Sequence, residues 1–120
     1  MHRFKDLKVW KMSMELTTEV YDVTKGFPKS EQFGLTNQIR RSAVSIPSNI
    51  AEGAGRNSPK DFVNFLSIAN GSCCELETQL TIATNLDYLE MTMFEKLSKE
   101  IDHIYNMNFK LQETLKKKSL

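Results

Sequence analysis

Gln38-Ile39-Arg40-Arg41-Ser42-Ala43-Val44-Ser45-Ile46-Pro47-Ser48-Asn49-Ile50-Ala51-Glu52-Gly53-Ala54-Gly55-Arg56 is the stretch whose periodicity decides the fold. From Leu35 just upstream, the apolar residues Leu35, Ile39, Ala43, Ile46, Ile50 and Ala54 recur at steps of three and four, which lines up one side of an α-helix. Asn37, Arg41, Ser45, Ser48, Glu52 and Arg56 lie about 200° around from them and make a polar stripe. The phase survives Pro47, so a single kinked helix is expected. The proline nitrogen has no hydrogen to offer the carbonyl of Ala43, and its ring crowds that carbonyl. Gly53 and Gly55 are expected to fray the helix end.

Three more helices follow from the same reading outward. Val9, Met12, Leu16, Val20, Val23 and the trailing Phe27 form a stripe before Gly26-Phe27-Pro28, a sequence that stops a helix, and Ser30 is placed to cap the next one. Beyond the central helix, Ser58-Pro59 with Asp61 makes a helix start: a capping hydroxyl, a proline in the first turn and an acid at the positive helix end. Phe62, Leu66, Ala69, Cys73, Leu76, Leu80 and Ala83 then alternate by four and three, the repeat of helices packed along their length. Thr92-Met93-Phe94-Glu95 has the form of a capping box. After it, Phe94, Leu97, Ile101, Ile104, Asn108, Leu111 and Leu115 repeat the seam, and Lys116-Lys117-Lys118 suits a helix C-terminus. Helices are therefore predicted over about 6–25, 31–56, 59–87 and 93–117 of a single 120-residue domain. Short connections make them an all-α, up-and-down antiparallel four-helix bundle.

Composition narrows the function classes. Sixteen basic and fifteen acidic side chains leave a net charge of +1, too little to coat nucleic acid by bulk charge. The charge is unevenly spread, however. Arg40, Arg41, Arg56 and Lys60 cluster around the central helix, whereas Asp61 to Glu90 contains no Lys or Arg. Cys73 and Cys74 are adjacent, so they build no disulfide framework, and no Cys/His spacing suits a metal. His2 and His103 stand alone, and no Ser, His and Asp fall in a nucleophilic arrangement, so no catalytic residue and no cofactor are expected. No run of eighteen apolar residues or signal-like segment occurs, which predicts a soluble, cytoplasmic chain with no membrane partner.

The third helix predicts self-association. Between Phe62 and Leu86 it carries only Glu75 and Glu77 as charges, and Phe65, Ile68, Ile82 and Leu86 add apolar surface beyond the core seam. A helix of this kind needs cover on more than one side. Within four helices that cover must come from another copy, with Phe65, Ile68, Glu75 and Ile82 as interface residues.

The run from Gln38 to Gly53 with Arg56 resembles the hallmark of bacterial four-helix-bundle proteins first noticed as products of intervening sequences inside 23S ribosomal RNA genes. Leu7 to Trp10, Phe27-Pro28 with Glu31, and Phe65-Leu66-Ser67-Ile68-Ala69 leading to Gly71-Ser72 and Glu75-Leu76-Glu77 agree with it, so the resemblance spans nearly the whole chain. It implies a ring-like homopentamer. The similar accessory proteins of diversity-generating retroelements form basic pentameric barrels that bind nucleic acid and a reverse transcriptase, which implies RNA or a nucleic-acid-processing protein as partner. This chain departs from them in being nearly neutral.

Two readings of the cations stand side by side. Arg40, Arg41, Arg56 and Lys60 contact RNA phosphates, Arg41 and Arg56 being best placed on the polar stripe. Alternatively they pair with Glu52, Glu75 or Glu77 across a subunit contact, and the protein is an interaction scaffold with no direct nucleic-acid role. No aromatic residue interleaves with the arginines to signal base stacking. Asn49 and Glu52, with Ser42 and Ser45, are expected to satisfy one another and the backbone freed near Pro47 rather than to form a reactive set.

Overall fold

The protein's computed structural model describes residues 3–118. Four α-helices make up the body: α1 Lys8–Thr24, α2 Leu35–Ala54, α3 Pro59–Asn85 and α4 Met91–Lys118, with no strand among the described residues. Short 3₁₀ turns at Phe4–Asp6 and Lys29–Glu31 precede α1 and α2. The body measures 49 × 23 × 20 Å, its long dimension set by α3 and α4 lying side by side.

Cross-helix hydrogen bonds fix the direction of each pair. Arg40 reaches Thr24 while Thr17 reaches Ala43, so α1 and α2 run antiparallel. Ser72 with Ser45 and Ser42 with Glu75 do the same for α2 and α3. Asn70 with Asn108, and Ser67 with Gln112, do so for α3 and α4. Lys96 of α4 bonds Glu19 of α1 and closes the circuit.

The apolar stripes meet along the axis. Ile39, Ala43, Ile46, Ile50 and Ala54 of α2 are fully buried against Phe62, Leu66, Ala69, Cys73, Leu76, Leu80 and Ala83 of α3, with Leu16 and Val20 of α1 and Leu97, Ile101, Ile104 and Leu115 of α4. Burial pushes the Cys73 thiol up to about 12, as expected for a cysteine used as an apolar side chain. Asn108 is also wholly buried, and its amide donates to Asn70 at 2.9 Å.

Helix ends differ from expectation in three places. Ser30 does not cap α2, which starts at Leu35. The Glu31 carboxylate instead accepts the Leu35 N–H at 3.2 Å and, through its other oxygen, the Tyr88 hydroxyl at 3.1 Å. That bond to Glu31 raises the Tyr88 hydroxyl's pKa. The capping box does not form, because α4 begins at Met91 and Thr92 lies inside it; the Phe94 N–H bonds the Glu90 carbonyl. Helix α3 stops at Asn85, where Asp87 adopts φ 63° and the Tyr88 N–H returns to the Ala83 carbonyl at 2.9 Å. By contrast Ser58 caps α3 as its sequence requires, accepting the Asp61 N–H at 3.0 Å.

Gly53 does not fray α2. It is buried and helical, and a Cβ added there would lie 2.7 Å from the Phe65 Cβ and 2.9 Å from the Phe62 Cδ1. Only a residue without a side chain lets α2 and α3 cross this closely.

Candidate nucleic-acid interface

Pro47 sits in the middle of α2, buried, and the helix continues through it. The Ala43 carbonyl that the proline cannot serve is taken by Thr17 of α1, whose hydroxyl lies 3.0 Å from it and 2.8 Å from the Ser13 carbonyl. The Asn49 amide, two residues after the proline, turns back to the Ser45 carbonyl and hydroxyl at 2.8 and 2.9 Å, and Ser45 also accepts from Ser72 at 2.8 Å. Asn49 and Ser45 thus satisfy one another beside Pro47. Glu52 does not join them. It pairs with Arg56 one turn on, at 3.2 Å, with both side chains about half exposed.

The four cations expected to gather on α2 are not brought together. Arg41 and Arg56 are fifteen positions apart, about 22 Å along a helix rising about 1.5 Å per residue. Arg40 is committed inside the chain: its Nε donates to Thr24 Oγ1 at 2.8 Å, an Nη donates to the Tyr21 carbonyl at 3.2 Å, and the guanidinium lies over the Tyr21 ring at 4.7 Å. Arg56 bonds Glu52 and covers the Phe65 ring at 4.9 Å. Lys60 is exposed and has no partner among the described residues. Arg41 likewise is exposed and unpartnered.

Arg41 opens onto a cleft of about 540 Å³ between α2 and α3, lined also by Phe33, Asn37, Gln38, Ser42, Glu75 and Gln79. Its floor is polar. The nearly buried Ser42 hydroxyl donates to Glu75 Oε1 at 2.8 Å, and the second Glu75 oxygen has no partner among the described residues. Gln79 is 9% exposed, and its Oε1 is buried without a partner. Phe33, 88% exposed, stands at the rim. An aromatic residue thus does accompany an arginine, contrary to the sequence reading. The two are separated in sequence by a turn and a helix start, and the signal that could have found Phe33 is a large apolar side chain in the polar link Glu31-Gln32-Phe33-Gly34. Gln79 was hidden because it looks like an ordinary surface amide until α2 covers it.

The other expected interface residues divide. Ile68 and Ile82 are 52% and 44% exposed on α3, Leu86 just after it is 48% exposed, and Tyr105 and Phe109 are exposed on α4. Gly71, between Ile68 and Glu75, has nothing within 4 Å of where a Cβ would be. Phe65 is not free surface: it is half-buried against Gly53 and under Arg56, because the close crossing of α2 and α3 occurs at its Cβ. Glu75 is likewise tied to Ser42 within the chain, and Glu77 accepts from Ser98 of α4. His103 is exposed, while His2 lies outside the described residues. No group of His, Cys, Asp and Glu among the described residues could hold a metal ion, and no described helix is long and apolar enough to cross a membrane.

Comparison with known proteins gives a consistent picture. The model of the family described as 23S rRNA-intervening sequence protein matches residues 5–110. Among solved structures, the chain is similar to a protein of unknown function from the S23 ribosomal protein family of Bacteroides thetaiotaomicron VPI-5482. The two share 25% identity over 87% of this chain and 97% of the other, with a TM-score of 0.78. No curated protein matches.

Proposed function

The chain belongs to the 23S rRNA-intervening sequence protein family, and on that premise we propose that it is a non-enzymatic, cytoplasmic homo-oligomer, a pentamer as the resemblance implies, that binds RNA or a ribonucleoprotein through α2. The observation that carries the RNA reading is Arg41. Its guanidinium is exposed, has no partner in the chain and stands in a polar cleft beside an exposed aromatic ring. A guanidinium fork matches phosphate oxygens, and aromatic faces accept unstacked bases. Self-association draws support from α3, where Ile68 and Ile82 remain exposed on either side of Gly71 and Glu75, leaving apolar surface that a helix of another copy can cover.

A second reading has its own observation. It is a protein-interaction scaffold whose arginines serve subunit assembly, and what favours it over RNA is that Arg40 and Arg56 already contact protein groups, here within the chain, and are not left free for phosphate. Mass by light scattering combined with salt-dependent RNA retention separates the two. Under the RNA reading, Arg41→Ala weakens retention and lowers the salt slope by about 0.7, the value for one phosphate contact on a single strand, while the mass stays unchanged. Loss of the oligomer in Arg41→Ala supports the scaffold. A wild-type chain that runs as a monomer overturns self-association in both.

A further inference from the structure

The net charge of +1 conceals a separation of charge along the 49 Å axis. Antiparallel packing brings the ends of all four helices to one pole of the bundle. Trp10 and Ala51 line one groove and the Phe4 ring meets that of Trp10, so the start of α1 lies beside the end of α2. Arg56 covers Phe65, which places the start of α3 there, and the Gln112 amide donates to the Val63 carbonyl at 3.0 Å, which adds the end of α4. Residues 3–11, 52–63 and 108–118, which make up this pole, hold ten basic side chains and four acidic ones. The rest of the chain holds six basic and eleven acidic. One pole therefore has a surplus of six positive charges and the remainder a surplus of five negative ones.

Little within the chain neutralises the basic pole. Arg3 pairs with Asp6 at 3.6 Å and Arg56 with Glu52 at 3.2 Å, which uses two of its four acids. Lys5 before α1, Lys8 and Lys11 within it, Lys60 on α3, and Lys110 and Lys116–Lys118 on α4 are all exposed and have no ion pair among the described residues. Helix stability does not account for this placement. The positive end of a helix dipole favours acids, yet α1 has no acid in its first turn and carries Lys8 and Lys11 there, and Lys60 stands beside Asp61 in the first turn of α3. Of the lysines, Lys116–Lys118 alone sit at a negative helix end, where the dipole favours them. Cations kept against the preference of their own helices call for an anion from outside. Resting on the RNA reading above, we infer that the sugar-phosphate backbone of a nucleic-acid strand lies across this basic pole, with Arg41 a separate contact near the other end of α2. Ammonium groups on flexible stems meet phosphate as point charges and read no base, so the contact is independent of sequence. Screening confines the field to about 8 Å in physiological salt, so a strand at this pole meets the local surplus and not the net charge of the whole chain. A ring closed by one rotation axis orients every copy alike, so bundles standing along that axis carry all their basic poles on one rim.

Fluorescence anisotropy of labelled oligouridylate and oligoadenylate, measured between about 50 and 200 mM salt, tests this with two triple variants of equal charge change. Lys8→Gln with Lys60→Gln and Lys117→Gln removes one cation from each of three helices at the basic pole. Lys25→Gln with Lys29→Gln and Lys99→Gln removes three exposed cations from the remainder of the chain. Three lost phosphate contacts lower the salt slope by about 2, at about 0.7 for each on a single strand. The pole variant should show that loss with both oligonucleotides, and the matched variant should bind as the wild type does. Equal losses in the two variants make overall charge responsible and overturn the inference. A loss confined to one oligonucleotide overturns a backbone contact. An unchanged slope in the pole variant together with weakened binding by Arg41→Ala overturns the inference and leaves the α2 reading standing. A wild type that binds neither oligonucleotide sinks both. A pole variant that loses oligomer mass by light scattering while keeping the wild-type slope makes the basic pole a contact with the acidic part of another copy, and overturns the inference as well.

Discussion

Gly53→Ala should destabilise the protein although it adds a good helix former to the interior of a helix. In an open helix the change stabilises by about 1 kcal/mol. Here the new Cβ would lie 2.7 Å from the Phe65 Cβ and 2.9 Å from the Phe62 Cδ1. Carbon pairs rest at about 3.5–4.0 Å, so the first contact asks for roughly 1 Å of separation. The Phe65 Cβ is fixed to the backbone and cannot rotate away, and Phe62 is 1% exposed in the core, so α2 and α3 must themselves move apart. Overpacking of this kind costs about 1–3 kcal/mol, and a clash with a backbone-anchored atom belongs at the upper end. The net loss is about 2 kcal/mol, or roughly 6–10 °C in Tm for a chain of this size. Gly55→Ala is the matched control, two residues on at the end of α2. Its backbone is helical, and its Cβ would meet only the Ala51 and Glu52 carbonyl oxygens at 3.6 Å, an ordinary contact. Thermal melts followed by circular dichroism, at one fixed protein concentration because assembly makes Tm concentration-dependent, compare the two. A Gly53→Ala variant that melts at or above the wild type would refute the close crossing.

Thr17→Val should cost about 1–3 kcal/mol by orphaning the Ala43 carbonyl, and much less in a Pro47→Ala background, where the restored N–H serves that carbonyl; a double-mutant cycle in urea reads the coupling. Asn108→Leu should destabilise by a similar amount because it leaves the Asn70 Oδ1 without its donor, whereas Asn70→Leu with Asn108→Leu should recover most of the loss, since that orphaned oxygen disappears with it. Glu100→Gln should stabilise at neutral pH by under about 1 kcal/mol, the screened value for a half-exposed ion cluster. Burial and the neighbouring Glu19 raise the Glu100 carboxyl, so the folded state holds that proton more tightly than the unfolded one. The stabilisation from the protonated form is present at low pH and is lost as pH rises through the raised value. The advantage of Glu100→Gln should therefore be full at pH 7 and fade as the pH falls into the carboxylate range. Denaturant melts at pH 7 and pH 4 check it, and a variant less stable than wild type at pH 7 contradicts the assignment.

What the sequence disclosed followed from periodicity. The stripe from Ile39 to Ala54 and the seam from Phe62 to Ala83 needed only the 3.6-residue turn to be read, and every one of those positions is buried. The Ser58-Pro59 start was legible because its chemistry is local. Partners across helices were not legible. Nothing in the order of residues says that Thr17 faces Ala43, that Arg40 reaches back to Thr24, or that Gly53 is small for the sake of Phe65. These depend on the rotation and separation of α1, α2 and α3, which sequence spacing leaves open. The same limit applies to the cleft. Phe33, Arg41 and Gln79 belong to three separate pieces of chain, and only the packing of α3 on α2 makes them neighbours.

That packing also decides which polar residues of α2 are free to act. Around and beyond Pro47 most polar side chains of α2 are engaged within the chain: Asn49 bonds Ser45, and Glu52 and Arg56 pair with each other, while Gly53 lets α3 approach. On the N-terminal side of the proline, the freed Ala43 carbonyl is served from α1 by Thr17, so no side chain of α2 is spent on it. Arg41 and the adjoining amides Asn37 and Gln38 are left unengaged, over a floor where α3 supplies Glu75 and Gln79. A nearly neutral chain, with sixteen basic side chains against fifteen acidic ones, has little long-range field with which to hold nucleic acid. Under the RNA reading, contact at this site therefore rests on Arg41 and the polar groups of one cleft rather than on the field of the whole chain.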